Sequence, residues 1–159
     1  MEMPRWCDFE KLAEIAVHQT SPKSGSIHGV AHWKQVEWNG IHLSSRTDAD
    51  ILVVRLFAWF HDSRRRNDSF DPGHGRRGAA YAKTLRKQVF DLEDAAFEKL
   101  IIACTLHTDE FQNDDPTIGT CWDADRLDLG RVGIRPSALF MSTAFGKELA
   151  QAGTFSRFW

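Results

Sequence analysis

Apolar residues recur along most of this chain at spacings of three and four positions, which is the period of an α-helix. The first helix is predicted to end near residues 20–22, from the spacing of Phe9, Leu12, Ala13, Ala16 and Val17. No segment alternates apolar and polar residues over the length of a strand. The pattern therefore predicts an all-α fold, in which each helix buries one face.

The next two predicted helices carry contrasting patterns. The second would place His28, His32 and Val36 on one face, because helical residues four positions apart lie above one another. The third runs through the apolar segment ILVVRLFAWF at positions 51–60, and Asp48 precedes it as a plausible N-cap. Length and the absence of alternation favour a helix there that is buried on most sides.

Two loops rich in turn-forming residues, 64–73 and 108–117, separate the later helices. The fourth helix is predicted to present one face made of His74, Gly78, Ala82, Leu85 and Val89. Gly78 is small enough on that face to let a neighbouring element approach closely.

The remaining elements are predicted from capping residues and helical spacing. Asp91 or Asp94 could cap a fifth helix, on which Leu100, Cys104 and His107 lie on one face. A sixth helix is predicted over 117–129 and stopped by Gly130. Residues 136–145 are expected to be helical, while the last residues, GTFSRFW, carry no clear pattern.

Composition narrows the class of protein. The 159 residues predict one domain, 1–159, with enough length to bury a core. A net charge of −2 indicates neither an extended nucleic-acid surface nor a membrane surface. The three cysteines form no CxxC pair, and no apolar signal core or bilayer-length stretch is present. We therefore expect a cytoplasmic protein; its oligomeric state is not indicated.

Five of the seven histidines fall into one ordered constellation with two aspartates. Its members are His28 and His32 in SIHGVAHW, His61 and Asp62 in AWFHDS, His74 in DPGHGRRGA, His107 in ACTLHTDE and Asp125 in CWDADRLDLG. Imidazoles and carboxylates are ligands of Zn, Fe, Mn and Mg. Consecutive helical residues point about 100° apart, so His61 and Asp62 are expected to reach one metal either from a helix end or from two sides of an ion held between helices.

A single histidine on an apolar helix face is more often a hydrogen-bonded core residue than a ligand, and we apply that interpretation to His18 and His42. His28 stays open between a ligand pair with His32 and a role in contacting substrate or a ligand. The same interpretation is hard to hold for His32, His61, Asp62 and Asp125 together. Four unrelated buried polar residues would then have to fall into one ordered pattern by coincidence.

The segments HGVAHW, FHDS with the following DPGHGRRGA, and DADRLDLG resemble the HD-domain superfamily of metal-dependent phosphohydrolases, in particular its small bacterial hydrolases. The resemblance extends over about residues 28–136 and implies a compact helical bundle. It implies His32, His61, Asp62 and Asp125 as metal ligands, with Asp62 bridging if a second ion binds. It also implies that His74 and His107 hold a second metal or contact substrate. His28 is a further candidate for either role.

The resemblance favours Asp125 over Asp123 as the last ligand. Asp128 is then expected to accept a hydrogen bond behind a ligand, and Asp123 to be a solvated or capping residue. The chain departs from the family pattern at Gln35, where relatives often carry a basic residue. That departure puts a phosphate contact from this position in doubt.

The implied activity is hydrolysis of a phosphomonoester or phosphodiester by a metal-activated water, with Asp62 and His61 at the catalytic centre. The cofactor would be Mn, Fe, Zn, Ni, Co or Mg, as one or two ions, and the partner a small phosphorylated substrate, for which a nucleotide is one candidate. Arginines close to these motifs suit phosphate binding; the candidates are Arg64, Arg65, Arg66, Arg76, Arg77 and Arg126. Arg64 and Arg126 are favoured among them, and Arg76 and Arg77 follow. Two alternatives stay open: a dinuclear iron HD-type oxygenase, and a non-catalytic, metal-stabilised nucleotide-binding module.

Overall fold

The computed structural model describes residues 4–19 and 25–153. The α-helices within these ranges are α1 Phe9–Gln19, α2 Val30–Ser44, α3 Ile51–Phe60, α4 His74–Leu85, α5 Asp94–Leu106, α6 Pro116–Arg126 and α7 Ala144–Ala152. Short 3₁₀ turns cover Leu129–Val132 and Ala138–Phe140. Strands β1 (Trp6–Cys7) and β2 (Phe90–Asp91) pair antiparallel over two residues each. The predicted all-α class is confirmed.

Helix α3 forms the centre of the core, as its apolar sequence predicts. Residues 56–60 are all buried, and the helix packs against α2, α5 and α6. Its N-cap is Asp50, whose Oδ1 accepts hydrogen bonds from the backbone N–H groups of Leu52 and Val53. The predicted cap at Asp48 is wrong by two residues, because Asp50 directly precedes the first helical residue.

Other predicted helix limits also need correction. His28 lies in the turn before α2 and not on the helix face of His32. Val89 lies beyond the end of α4, because Lys87 adopts a left-handed φ of 69° and turns the chain toward β2. Helix α5 has Glu93 at its N-cap position, rather than Asp91 or Asp94.

The C-terminal elements differ from the prediction as well. Helix α6 ends at Arg126, and Gly130 lies inside the following 3₁₀ turn. The helix expected over 136–145 is replaced by the second 3₁₀ turn and by α7, which Thr143 caps by accepting from the N–H of Gly146. Residues 20–22, where the first helix is predicted to end, and residues 154–159 lie outside the described parts of the chain.

Two glycines on one side of α4 let this helix lie directly against its neighbours. A Cβ at Gly78 would lie closer than 3.0 Å to the carbonyl oxygen of Phe60, at the end of α3. A Cβ at Gly75 would clash in the same way with the carbonyl oxygen of Cys104 on α5. The close approach expected at Gly78 is present, and it brings the start of α4 to the ends of α3 and α5.

Helix α6 begins with a well-defined cap. Oδ1 of Asp115 accepts from the N–H groups of Thr117 and Ile118, and its Oδ2 lies 2.8 Å from Nζ of Lys99. Burial alone would raise the pKa of Asp115, but Lys99 and the two N–H donors outweigh it and lower this pKa. None of the helices in the described ranges has the length and apolar character that crossing a bilayer would require.

Candidate metal centre

The candidate ligands lie at the ends of five helices that meet at one place. His32 is in the first turn of α2, His61 is the C-cap of α3, His74 opens α4, His107 is the C-cap of α5, and Asp125 is in the last turn of α6. Three of these ends are helix C-termini, whose partial negative charge favours a cation. Asp62 follows α3 in a turn, which frees it to point where His61 points.

The first cluster joins four of the predicted ligands. Nε2 of His32 lies 3.2 Å from Nε2 of His61, 3.1 Å from Oδ1 of Asp125 and 3.4 Å from Oδ2 of Asp62. Nε2 of His61 lies 3.5 Å from each of the same two carboxylate oxygens. Each histidine nitrogen therefore lies within 3.5 Å of both carboxylate oxygens, and His32, His61 and Asp62 are close enough together to hold an ion.

The second cluster uses the other oxygen of the same aspartate. Oδ1 of Asp62 lies 3.1 Å from Nε2 of His74 and 3.5 Å from Nε2 of His107. The two histidine nitrogens are 3.0 Å apart. Asp62 therefore stands between two groups of ligand atoms and offers one oxygen to each.

The opposite ring nitrogen of each clustered histidine is anchored by an acceptor. Nδ1 donates from His61 to the carbonyl of Phe57 at 3.0 Å, from His74 to that of Asp71 at 2.7 Å, and from His107 to that of Cys104 at 2.7 Å. Because a carbonyl oxygen can only accept, Nδ1 must carry the proton. Anchoring of this kind fixes the ring and leaves Nε2 to bind a metal.

Because these tautomers are fixed, two pairs of histidines bring unprotonated Nε2 atoms face to face. In neutral rings, Nε2 of His74 and Nε2 of His107 would direct lone pairs at each other across 3.0 Å. The same applies to His32 and His61 at 3.2 Å. Such contacts are relieved by a proton or by a metal cation between the nitrogens. The residues present therefore fit divalent metal ions, and the buried His and Asp groups could hold them.

The electrostatics also favour positive charge at this site. Burial lowers the pKa of His32, but hydrogen bonds to Asp125, Asp128 and Asp62 overcome this and raise it to about 10. Burial would raise the pKa values of Asp62 and Asp125, yet the adjacent histidines, His61 foremost, hold both well below the usual range. The carboxylates are thus charged, and they require cationic partners.

Asp128 and Asp123 differ in their roles. Oδ2 of Asp128 accepts from Nδ1 of His32 at 2.7 Å, so it supports a ligand from behind, as expected. Asp123 is fully buried and accepts from the N–H groups of Ser142 and Thr143 and from the Thr143 hydroxyl. The expectation that Asp123 is solvated is wrong, because it anchors the start of α7; burial raises its pKa.

His28 reaches the centre from the turn before α2. Its Nδ1 lies 3.1 Å from Oδ2 of Asp62, and its Nε2 lies 3.3 Å from the carbonyl oxygen of Asp68. Nη2 of Arg131 lies 3.5 Å from the same Nδ1. Arg131 also donates to the carbonyls of Ile27 and Asp128. Sequence reasoning missed Arg131, because no motif that we used includes it.

The predicted phosphate-binding arginines are not all brought to the centre. Arg77 donates to Oδ1 of Asp71 at 2.6 Å and to two backbone carbonyls, so it supports the loop before α4. The guanidinium of Arg64 lies over the ring of Tyr81, and Arg76 is exposed on α4. Arg126 lies beside the ligand Asp125 at the end of α6.

Arg65 turns toward the centre, although Arg64 was the favoured candidate of this arginine run. This residue is 9% exposed, and its Nε lies 3.4 Å from Oδ1 of Asp62. Within the described residues that Nε has no hydrogen-bond partner. The run of three arginines resembles a solvated loop, and only the fold shows that the middle one turns inward.

Gln35 is fully buried on α2. Its Nε2 donates to Oδ1 of Asn39 at 2.7 Å, and Asn39 in turn donates to the carbonyl of Ala124. These buried amides connect α2 to α6. The departure from the family pattern at this position therefore serves packing between helices.

Comparison with known proteins supports the fold. No protein-family model matches the chain. No curated protein matches it in sequence. The crystal structure of a predicted HD superfamily hydrolase from an uncultured Thermotogales bacterium is similar, with a TM-score of 0.69 and 23% sequence identity over 90% of this chain and 83% of that one. The likeness shows the fold: this chain shares the helical architecture of that predicted HD superfamily hydrolase, as the resemblance found in the sequence implied.

Proposed function

We propose that this protein is a metal-dependent phosphohydrolase that cleaves a phosphomonoester or phosphodiester. The observation that carries the proposal is the position of Asp62, whose two oxygens lie in two separate clusters of anchored histidines. A carboxylate placed in this way suits a pair of cations held close together, and pairs of this kind are used for displacement at phosphorus. The HD-domain fold is consistent with that chemistry.

The two clusters assign the ligands. We propose that His32, His61, Asp62 and Asp125 would hold the first ion, and Asp62, His74 and His107 the second. His61, His107 and Asp125 also lie close enough together to hold an ion. Nitrogen and oxygen ligands without a thiolate suit Mn, Fe, Zn, Ni, Co or Mg. When bound, such an ion would lower the pKa of water toward neutrality and offset the negative charge of a phosphate.

The residues of the chain would prepare the site for substrate. The imidazoles are held by their Nδ1 anchors, so they need no reorganisation when a ligand arrives. Asp125 has the most exposed side chain of the first cluster, at 19%, so solvent and substrate approach from its side. Asp62 could orient the attacking water or accept its proton.

Two buried guanidinium groups would balance phosphate charge near these carboxylates. Arg65 lies against Asp62, and Arg131 lies against His28. Arg126, which directly follows Asp125 at the end of α6, is the member of the predicted arginine set that we propose to contact the phosphate. A small phosphorylated molecule, such as a nucleotide, is the substrate that we propose.

The test is phosphate release from a panel of monoesters and diesters by the metal-loaded protein. We expect turnover in the wild type and a loss of at least about 100-fold in Asp62→Asn and His61→Ala. His18→Ala, an exposed histidine on α1, is the matched control and should keep full activity. Oxygen consumption by an iron-loaded protein that releases no phosphate would overturn the proposal in favour of a dinuclear iron oxygenase. Metal binding with neither activity would favour a binding module.

A further inference from the structure

A cavity of about 300 Å³ opens directly beside the proposed metal ligands. His107 and Asp125 form one side of it, and each belongs to one of the ligand clusters. The other side is mainly apolar: Phe111, Leu129, Phe140 and Met141 line it, together with Thr108 and Ser137. A volume of this size is at the lower end of the range for small-molecule sites.

The apolar side of the cavity is built by two segments that are tied together. Nε2 of Gln112, before α6, donates to the carbonyls of Leu139 and Met141 at 3.0 and 2.9 Å. The rings of Phe111 and Phe140 contact each other across these segments, with centroids 5.1 Å apart. The apolar side is thus formed in advance of any ligand.

Both rings of this aromatic pair are open to solvent. Phe111 is 69% exposed and Phe140 is 44% exposed. Exposed aromatic groups next to a concave site commonly contact a ligand. Their place beside Asp125 and His107 means that a ligand in contact with them can also reach the metal centre.

Arg126 lies at the border between the apolar and the metal side. Its Nη2 donates to the carbonyls of Glu110 and His107, which holds the guanidinium in place. Its buried Nη1 has no hydrogen-bond partner in the described parts of the chain. An unused buried donor is costly, and an oxygen of a phosphate ester is a strong acceptor for it.

We propose that this cavity selects phosphate esters whose organic group is a flat, apolar ring, with the ring against Phe111 and Phe140 and the phosphate between Arg126 and the metal ligands. This inference rests on the proposed function and names the class of substrate for it. Sugar phosphates and other polyhydroxy esters would leave their hydroxyl groups against apolar side chains, and they bind poorly for that reason.

The experiment uses two phosphonates that the protein cannot hydrolyse as esters. Calorimetry on the metal-loaded protein compares phenylphosphonate with methylphosphonate, which lacks the ring. We expect phenylphosphonate to bind about tenfold more tightly or better, because the phenyl ring is removed from water. Phe140→Ala and Phe111→Ala should each reduce that preference severalfold and leave methylphosphonate binding unchanged. Leu139→Ala is the matched control, since this side chain is 80% exposed and does not line the cavity.

The outcomes separate the inference from the proposed function. Equal affinities for the two phosphonates, or a preference that survives in both phenylalanine variants, would overturn the inference and leave the phosphohydrolase proposal standing. Binding of neither phosphonate to the metal-loaded protein would overturn both. A preference that is lost in the phenylalanine variants and kept in Leu139→Ala supports the ring-binding cavity.

Discussion

Replacement of Gly78 by alanine tests how the metal centre is assembled. This residue lies on α4 where the helix crosses the end of α3, next to the backbone of Phe60 and His61. A Cβ there would lie closer than 3.0 Å to the Phe60 carbonyl oxygen and 3.2 Å from that of His61. Ordinary contacts begin at 3.4 Å, and both obstacles are backbone atoms, so helix α4 must move by several tenths of an ångström.

The expected effect has the opposite sign to that of helix propensity. In an open helix position, alanine is more favourable than glycine by about 0.8–1 kcal/mol. Overpacking of a closed contact typically costs about 1–3 kcal/mol, so we expect Gly78→Ala to destabilise the protein by about that amount. In a domain of this size each kcal/mol lowers Tm by about 2–4 °C.

Urea unfolding of the metal-free protein measures this change directly. Ala80→Gly, on the exposed side of the same helix, is the matched control and should lose up to about 1 kcal/mol from propensity alone. An increase in the free energy of unfolding for Gly78→Ala would refute the reasoning, because it would mean that α4 does not press on the end of α3.

Two further predictions concern aspartates outside the ligand set. Asp128→Ala should weaken metal binding by about 10–100-fold, because His32 loses the acceptor of its Nδ1 proton. Asp128→Asn keeps an acceptor at this position and should weaken binding less. Competition with a chelating dye measures the metal affinity of both variants. Asp115→Ala should cost about 1 kcal/mol of unfolding free energy at neutral pH through loss of the cap, against little change for the exposed Asp114→Ala. Because folding lowers the pKa of Asp115, its electrostatic contribution to the free energy of unfolding is complete above the ordinary pKa of 3.8 and is lost as pH falls through the pKa of the folded state. The difference in unfolding free energy between Asp115→Ala and the wild type should therefore shrink in acid.

The helical framework was predictable because its apolar residues follow one period. The segment 51–60 is helical as expected, and the pair at positions 61 and 62 lies at its end, where both side chains can turn inward. The cap of this helix was misplaced from Asp50 to Asp48. Both aspartates precede the apolar run, and only the backbone geometry decides which one accepts the N–H groups.

Parts of the candidate centre could not be predicted, because they depend on backbone atoms and loops. The carbonyls that anchor His74 and His107 belong to Asp71 and Cys104, and a carbonyl has no signature in a sequence. Arg131 reaches the site only because a 3₁₀ turn follows α6. Arginines in polar loops that turn toward the interior therefore cannot be predicted from the sequence, whereas helices with a periodic apolar pattern can.

The proposed metal-dependent function depends most directly on metal binding by Asp62. Elemental analysis after reconstitution with Mn, Fe, Zn, Ni, Co or Mg measures it in the wild type and three variants. We predict about two ions per chain in the wild type and in His18→Ala, about one in His74→Ala, and almost none in Asp62→Ala, because this carboxylate serves both clusters. A wild-type protein that stays free of metal, or an Asp62→Ala protein that retains it, would contradict the account.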